Sequence, residues 1–206
     1  MFWRSWLPLG WLVAVPLAAA CSIELTPAAV IGDTSVNGSV KLAQPAPATG
    51  LTFTLVSSTP SAQVSAHVTV PPGESKVLFT ISTKPVAAST NAVITVAGPC
   101  VATAGVTVYP ASLSELSLSE TTSRANAGLR GAVTLTGPAP STGAVVQLQS
   151  SDFLVTVPQF VTIPAGEVTA SFPLITGVPH SRNSVAVTAT YGASVQTALL
   201  NVLPGI

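Results

Sequence analysis

Two cysteines are the residues with most chemistry to offer, and their surroundings support two incompatible uses. Cys21 ends the small-residue run of LAAACSIEL (17–25), and Cys100 sits in AGPCV (97–101). A thiol placed directly after an apolar leader is the acceptor of a lipid in bacterial envelope proteins. Such a signal usually has an aliphatic residue three places before the cysteine, where this chain has Ala18, with Leu17 one place further upstream. Acylation of Cys21 leaves Cys100 as a lone thiol in an exported protein. The alternative is a Cys21–Cys100 disulfide, which an oxidising exported compartment permits.

The remaining reactive side chains are few. His180 lies in VPHSRNS (178–184) with Arg182 and Asn183, and a loop of this kind is where ligand contacts are made; these three are the candidate loop contacts. His67 occupies a strand position that reads as surface or rim. Asp152 follows Ser150 and Ser151 beside a turn, where a carboxylate caps backbone N–H groups. A Ser–His–Asp triad is assembled in space and leaves no fixed spacing. Yet no Gly-x-Ser-x-Gly elbow, phosphate loop, His-Glu-x-x-His or Cys-x-x-Cys occurs, so the chain reads as no enzyme, with neither cofactor nor metal.

The elements that hold these residues begin after an export signal. MFWRSWLPLGWLVAVPLAAA has one positive charge at Arg4, an apolar run from Trp6 to Leu17 and small residues before Cys21; residues 1–20 read as a secretory signal peptide. That run falls short of the roughly 20 apolar residues of a spanning helix. The signal contains every tryptophan and the only methionine. Downstream, six basic and seven acidic residues are scattered singly. No basic stripe exists to neutralise phosphates, which excludes nucleic acid as a partner. Low charge with abundant Val, Thr, Ser and Ala is the opposite of a disordered composition and favours strands.

An internal repeat divides the rest. GSVKLAQPAPATG (38–50) and GAVTLTGPAPSTG (131–143) share eight of thirteen positions at an offset of 93. VTVPPGE (68–74) and VTIPAGE (161–167) keep that offset. Two domains follow, 21–110 and 111–206, joined by Tyr109-Pro110-Ala111-Ser112. Apolar residues alternate within each copy, as on half-buried strands: Val40/Leu42, Leu51/Phe53/Leu55, Val68/Val70, Val77/Phe79/Ile81, Ile94/Val96 and Val106/Val108 in the first. The second repeats them at Val133/Leu135, Val146/Leu148, Val161/Ile163, Phe172/Leu174, Val187/Ala189 and Leu200/Val202. With an opening strand at Ile23/Leu25 or Leu116/Leu118, each copy has about seven strands. The proline-rich segments and the Pro-x-Gly-Glu turns interrupt them. The fold class is all-β: two tandem immunoglobulin-like antiparallel β-sandwiches preceded by a signal peptide.

The blocks GAVTLTGPAPSTGAVVQLQSS, VPQFVTIPAGEVTASFPLIT and VAVTATYGASVQTALLNVLP resemble the Ig-like tandem repeats of bacterial exported and surface proteins. The resemblance implies fold and location. A weaker likeness to the Calx-beta domain rests on the Pro-x-Gly-Glu turn. That family's calcium sites cluster carboxylates, whereas Asp33, Glu74, Asp152 and Glu167 stand alone, so no metal site carries over.

In a seven-strand sandwich the chain enters its first strand at the pole where its last hairpin turns. Cys21 and Cys100 become neighbours there, and the second copy has Ser114 and Ala193 or Ser194 at the matching places. Ser22-Ile23-Glu24-Leu25-Thr26 also runs straight into a strand without the polar tether common after a lipidated cysteine. These points favour the disulfide; an outer-membrane lipoprotein anchored through Cys21 is the alternative, and the membrane is otherwise no partner. The expected function is a non-catalytic exported module, periplasmic or on the cell surface, that spaces, scaffolds or adheres. The other reading is ligand binding by loops at one pole. A protein or cell-envelope partner fits it better than carbohydrate, since Tyr109 and Tyr191 are the only tyrosines. Self-association through edge strands is a third course, and outward-pointing Lys41, Lys76 and Lys84 would oppose it.

Overall fold

Alternation of apolar and polar residues puts one face of each strand in the core and the other in water, and the computed structural model, which describes residues 20–205, follows that rule in most of its strands. The expected signal peptide lies outside the described residues except for Ala20. The first copy comprises β1 (Cys21–Thr26), β2 (Ala29–Ile31), β3 (Ser35–Leu42), β4 (Leu51–Ser57), β5 (Ala62–Val64), β6 (His67–Val70), β7 (Lys76–Thr83), β8 (Thr90–Ala97) and β9 (Ala102–Tyr109). The second comprises β10 (Leu113–Leu118), β11 (Thr122–Arg124), β12 (Gly128–Leu135), β13 (Ala144–Ser150), β14 (Val155–Thr156), β15 (Phe160–Ile163), β16 (Thr169–Thr176), β17 (Asn183–Tyr191) and β18 (Ser194–Leu203).

Each copy stacks a four-stranded sheet on a five-stranded one. The orders are β1-β3-β7-β5 over β2-β9-β8-β4-β6, and β10-β12-β16-β14 over β11-β18-β17-β13-β15. Neighbours are antiparallel except β2 with β9 and β11 with β18, which run parallel. This is the immunoglobulin-like sandwich, repeated. The seven long strands expected per copy are present; β2 and β5, or β11 and β14, raise the count to nine. These additions arise where the chain changes sheet. After β1 it crosses at Thr26-Pro27, a cis bond, and pairs Ala29–Ile31 with β9. After β4 it gives β5 to one sheet and β6, two residues later, to the other.

The cores contain Val36, Val40, Phe53, Leu55, Ile81, Ile94, Val96 and Val106 in the first copy and Val133, Val146, Leu148, Ile163, Leu174, Val187 and Leu200 in the second. One cross-strand contact recurs in both. Gly38 on β3 faces Phe79 on β7, and Gly131 on β12 faces Phe172 on β16. A Cβ on either glycine would fall within the ring it faces, so the aromatic edge lies directly on bare backbone. The four-stranded sheets each gain a flat seat for one phenylalanine in cores that lack tryptophan.

A buried threonine closes the opposite end of each copy. Thr83 Oγ1 accepts from the Thr34 N–H at 3.0 Å and donates to the Thr34 carbonyl at 2.6 Å. At the same offset, Thr176 Oγ1 accepts from the Ala127 N–H at 3.0 Å and donates to the Arg124 carbonyl at 2.9 Å. Each hydroxyl ties down the tight turn before β3 or β12, whose Asp33 or Asn126 adopts a left-handed φ of 71° or 56°. Asp and Asn tolerate that conformation better than other residues with a Cβ.

Candidate binding cleft and the cysteine pole

Cys21 is the first residue of β1, and Cys100 is in the turn between β8 and β9. Their Cα atoms are 6.1 Å apart and their sulfurs are bonded. The second copy closes the same pole by different means. The Leu113 N–H, at the start of β10, donates to Ser194 Oγ at 2.8 Å, and that hydroxyl donates to the Tyr191 carbonyl at 2.8 Å. A covalent link in one sandwich thus stands where hydrogen bonds through one serine stand in the other.

The candidate loop residues separate. His180 and Arg182 project into solvent in the connection between β16 and β17. Asn183, at the start of β17, is drawn inward, and its Nδ2 donates to Asp152 Oδ2 at 3.0 Å. Asp152 Oδ1 accepts from the Leu154 N–H at 2.9 Å. Both carboxylate oxygens therefore hold the loop together. His67 is exposed on β6 with Nδ1 at 3.5 Å from Thr54 Oγ1. No histidine is hydrogen-bonded to a serine or a carboxylate among the described residues, and no three His, Cys, Asp or Glu side chains converge there.

Glu74 and Glu167 act through their backbones. Their carbonyls accept from Ala46 and Ala139 at 2.8 Å each, which staples the proline-rich loops to the Pro-x-Gly-Glu turns. The side chains themselves face solvent.

The Asp152 loop forms one wall of a cleft of about 480 Å³. Gln147 and Gln149, on the outward face of β13, form its floor, and Thr156 of β14 and Gln159 complete it. On the rim stands Phe153, 91% exposed. Local hydrogen bonds hold it outward. Ser150 Oγ donates to the Asp152 carbonyl at 2.8 Å, and the Val155 N–H donates to the same carbonyl at 3.2 Å. Leu154 and Val155 turn into the core and Phe153 is left in water. A single exposed apolar side chain is ordinary on a protein surface; a phenyl ring on the rim of an amide-lined cleft is a specific arrangement. Nothing in the order of residues marks the three glutamines and Phe153 as a group, although the two copies differ at these positions: Thr54, Val56, Ala66 and Pro60 occupy them in the first.

Charge is distributed unevenly around this cleft. The charged residues borne by strands are Glu24, Lys41, Lys76, Glu115 and Arg130 on the four-stranded sheets, together with Arg124 on the short edge strand β11. The outward faces of β13, β15, β17 and β18 bear none. Lys41 and Lys76 face each other in register, a costly juxtaposition of like charges. Glu24 relieves it by accepting from Lys41 Nζ at 2.8 Å. This contact holds the Glu24 carboxyl below its ordinary value.

No family model matches the sequence, and no curated protein matches it. Among solved structures it is similar to the Yersinia pseudotuberculosis adhesin InvE, at 12% identity over 92% of this chain and 59% of that one, with a TM-score of 0.41. It is also similar to titin domains Z1Z2 in complex with telethonin (15% identity, 89% and 96% coverage, TM-score 0.38) and to domains 4 and 5 of the S-layer protein SbsC (14%, 90% and 98%, 0.37). The chain thus spans well under two thirds of the InvE structure. At these identities the likeness concerns the fold alone.

Proposed function

We propose that the protein is a non-catalytic exported module whose two sandwiches, taken as domains 21–110 and 111–206, hold apart or present the surfaces to which other envelope or extracellular components attach. The observation that carries this reading is the repeated sandwich itself. Both copies keep the same strand order, the same glycine–phenylalanine seat and the same buried threonine latch, while Asp152 caps its own loop and the two histidines stand apart from any carboxylate among the described residues. Selection for a firm scaffold explains such repetition; selection for a reaction does not. A protein partner fits this reading. The exposed Lys41 and Lys76, on β3 and β7, oppose self-association at the four-stranded face of the first copy, whereas Lys84 lies just past the end of β7 and not on a strand.

The leader-like residues 1–20 and the Cys21–Cys100 disulfide support export, and the same bond occupies the sulfur that a lipid would need. Fractionation of the host with surface biotinylation tests the location: recovery of unlabelled protein in the cytoplasm overturns it. Intact mass of the native protein tests the cysteine chemistry. A loss of two hydrogens with no adduct is expected, and a diacyl or triacyl adduct on Cys21 would replace the disulfide by an anchor.

A further inference from the structure

We propose that the cleft between β13 and the Asp152–Gln159 segment is a binding site for a neutral saccharide, with Phe153 as its stacking platform. Phe153 presents an apolar face to water, and the flat C–H face of a sugar ring is the complement of such a surface. Gln147, Gln149 and Gln159 supply primary amides, each with two donors and one acceptor. None of these amides takes part in a side-chain hydrogen bond described above, and an array of hydroxyl groups, each both donor and acceptor, matches them. The volume, about 480 Å³, lies within the range of small-molecule clefts, roughly 300–1,000 Å³.

The ligand's charge follows from what is missing around the cleft. No Lys, Arg or His lines it, so an anionic sugar or phosphate would meet no counter-charge on the walls of the cleft itself. The one carboxylate, Asp152, has both oxygens engaged by Leu154 and Asn183, so a cation would compete with the bonds that shape the wall. Asn183 is thus a positioning residue for the site.

The first copy serves as an internal control. Its equivalent loop folds in the same way, with Ser57 Oγ donating to the Thr59 carbonyl at 3.0 Å. Yet it carries Thr54, Val56, Ala66 and Pro60 in place of the three glutamines and the phenylalanine. The sandwich therefore does not need these side chains, and they occur together only in the second copy. The inference adds a ligand to the module reading and does not depend on cellular location, so either can fail alone.

Affinity electrophoresis of the purified protein tests it, in gels containing β-glucan, xylan, galactomannan or pullulan, with polygalacturonate and casein as the anionic and peptide comparators. Retardation by at least one neutral polysaccharide is expected. Phe153→Ala and Gln149→Ala should each weaken it about tenfold, whereas Leu78→Ala, exposed on the four-stranded face of the first copy, should leave it unchanged. Phe153 makes little contact with the fold, so an unchanged thermal melt will show that the variant is folded. The proposal is overturned if no neutral polysaccharide retards the protein, if casein or polygalacturonate alone does so, or if Phe153→Ala binds like the parent.

Discussion

Gly38→Ala and Gly131→Ala should destabilise the sandwich that contains them, although alanine is ordinarily the better residue in a strand. Removing a strand glycine gains roughly 0.5–1 kcal/mol, chiefly by restricting the unfolded chain. Against this, the new methyl would overlap the Cζ and both Cε atoms of the facing ring, and overpacking of this kind costs about 1–3 kcal/mol. The clash should win. Its size depends on how far the ring can retreat. Phe79 is 9% exposed and has a way out toward solvent, whereas Phe172 is sealed at 1%. The net loss should be about 1 kcal/mol for Gly38→Ala and about 2 kcal/mol for Gly131→Ala. For a domain of this size each kcal/mol lowers Tm by about 4–8 °C. Differential scanning calorimetry should show only the transition of the altered sandwich moving. Repeating Gly38→Ala in a Phe79→Leu background removes the obstacle and leaves the entropic gain, so the substitution should there become neutral or stabilising. An equal loss in both backgrounds would refute the ring as its cause.

Three further outcomes follow from the latches and the surface charges. Replacing Cys21 and Cys100 by serine opens a loop closed over a separation of 79 residues, for which chain entropy gives about 4.5 kcal/mol; the first sandwich alone should melt earlier, and reductant should reproduce the shift in the parent. Thr176→Val leaves the Ala127 N–H and the Arg124 carbonyl without their buried partner, which should cost about 1–3 kcal/mol by urea titration, with Thr176→Ser recovering most of it. Glu24 is held below its ordinary 4.5, first by the hydrogen bond from Lys41 and then by that residue's charge. Its contribution is therefore complete above the ordinary value and is lost as pH falls through the lowered one, so Glu24→Gln should flatten the melting profile only below about pH 4.5, and added salt should shrink the difference.

The seven longer strands of each copy, from four to ten residues, were legible because a period of two is a strong signal, and the repeat doubled it. The short strands β2, β5, β11 and β14 were not. Two or three residues contain too little alternation to read, and their existence depends on which sheet the chain crosses to. His67 was readable as a surface or rim strand position, and the structure exposes it on β6.

Chain order and composition by themselves determined that this protein is a tandem all-β chain without a basic face and with two cysteines. These properties are local, carried by neighbours along the sequence. Tertiary structure alone decided that Gly38 would seat Phe79, that Ser194 would close the pole which the cysteines close in the other copy, and that Phe153 would stand outward over three glutamines. Each of these brings together groups on different strands or loops, and a contact of that kind exists only once register and sheet packing have fixed which faces meet.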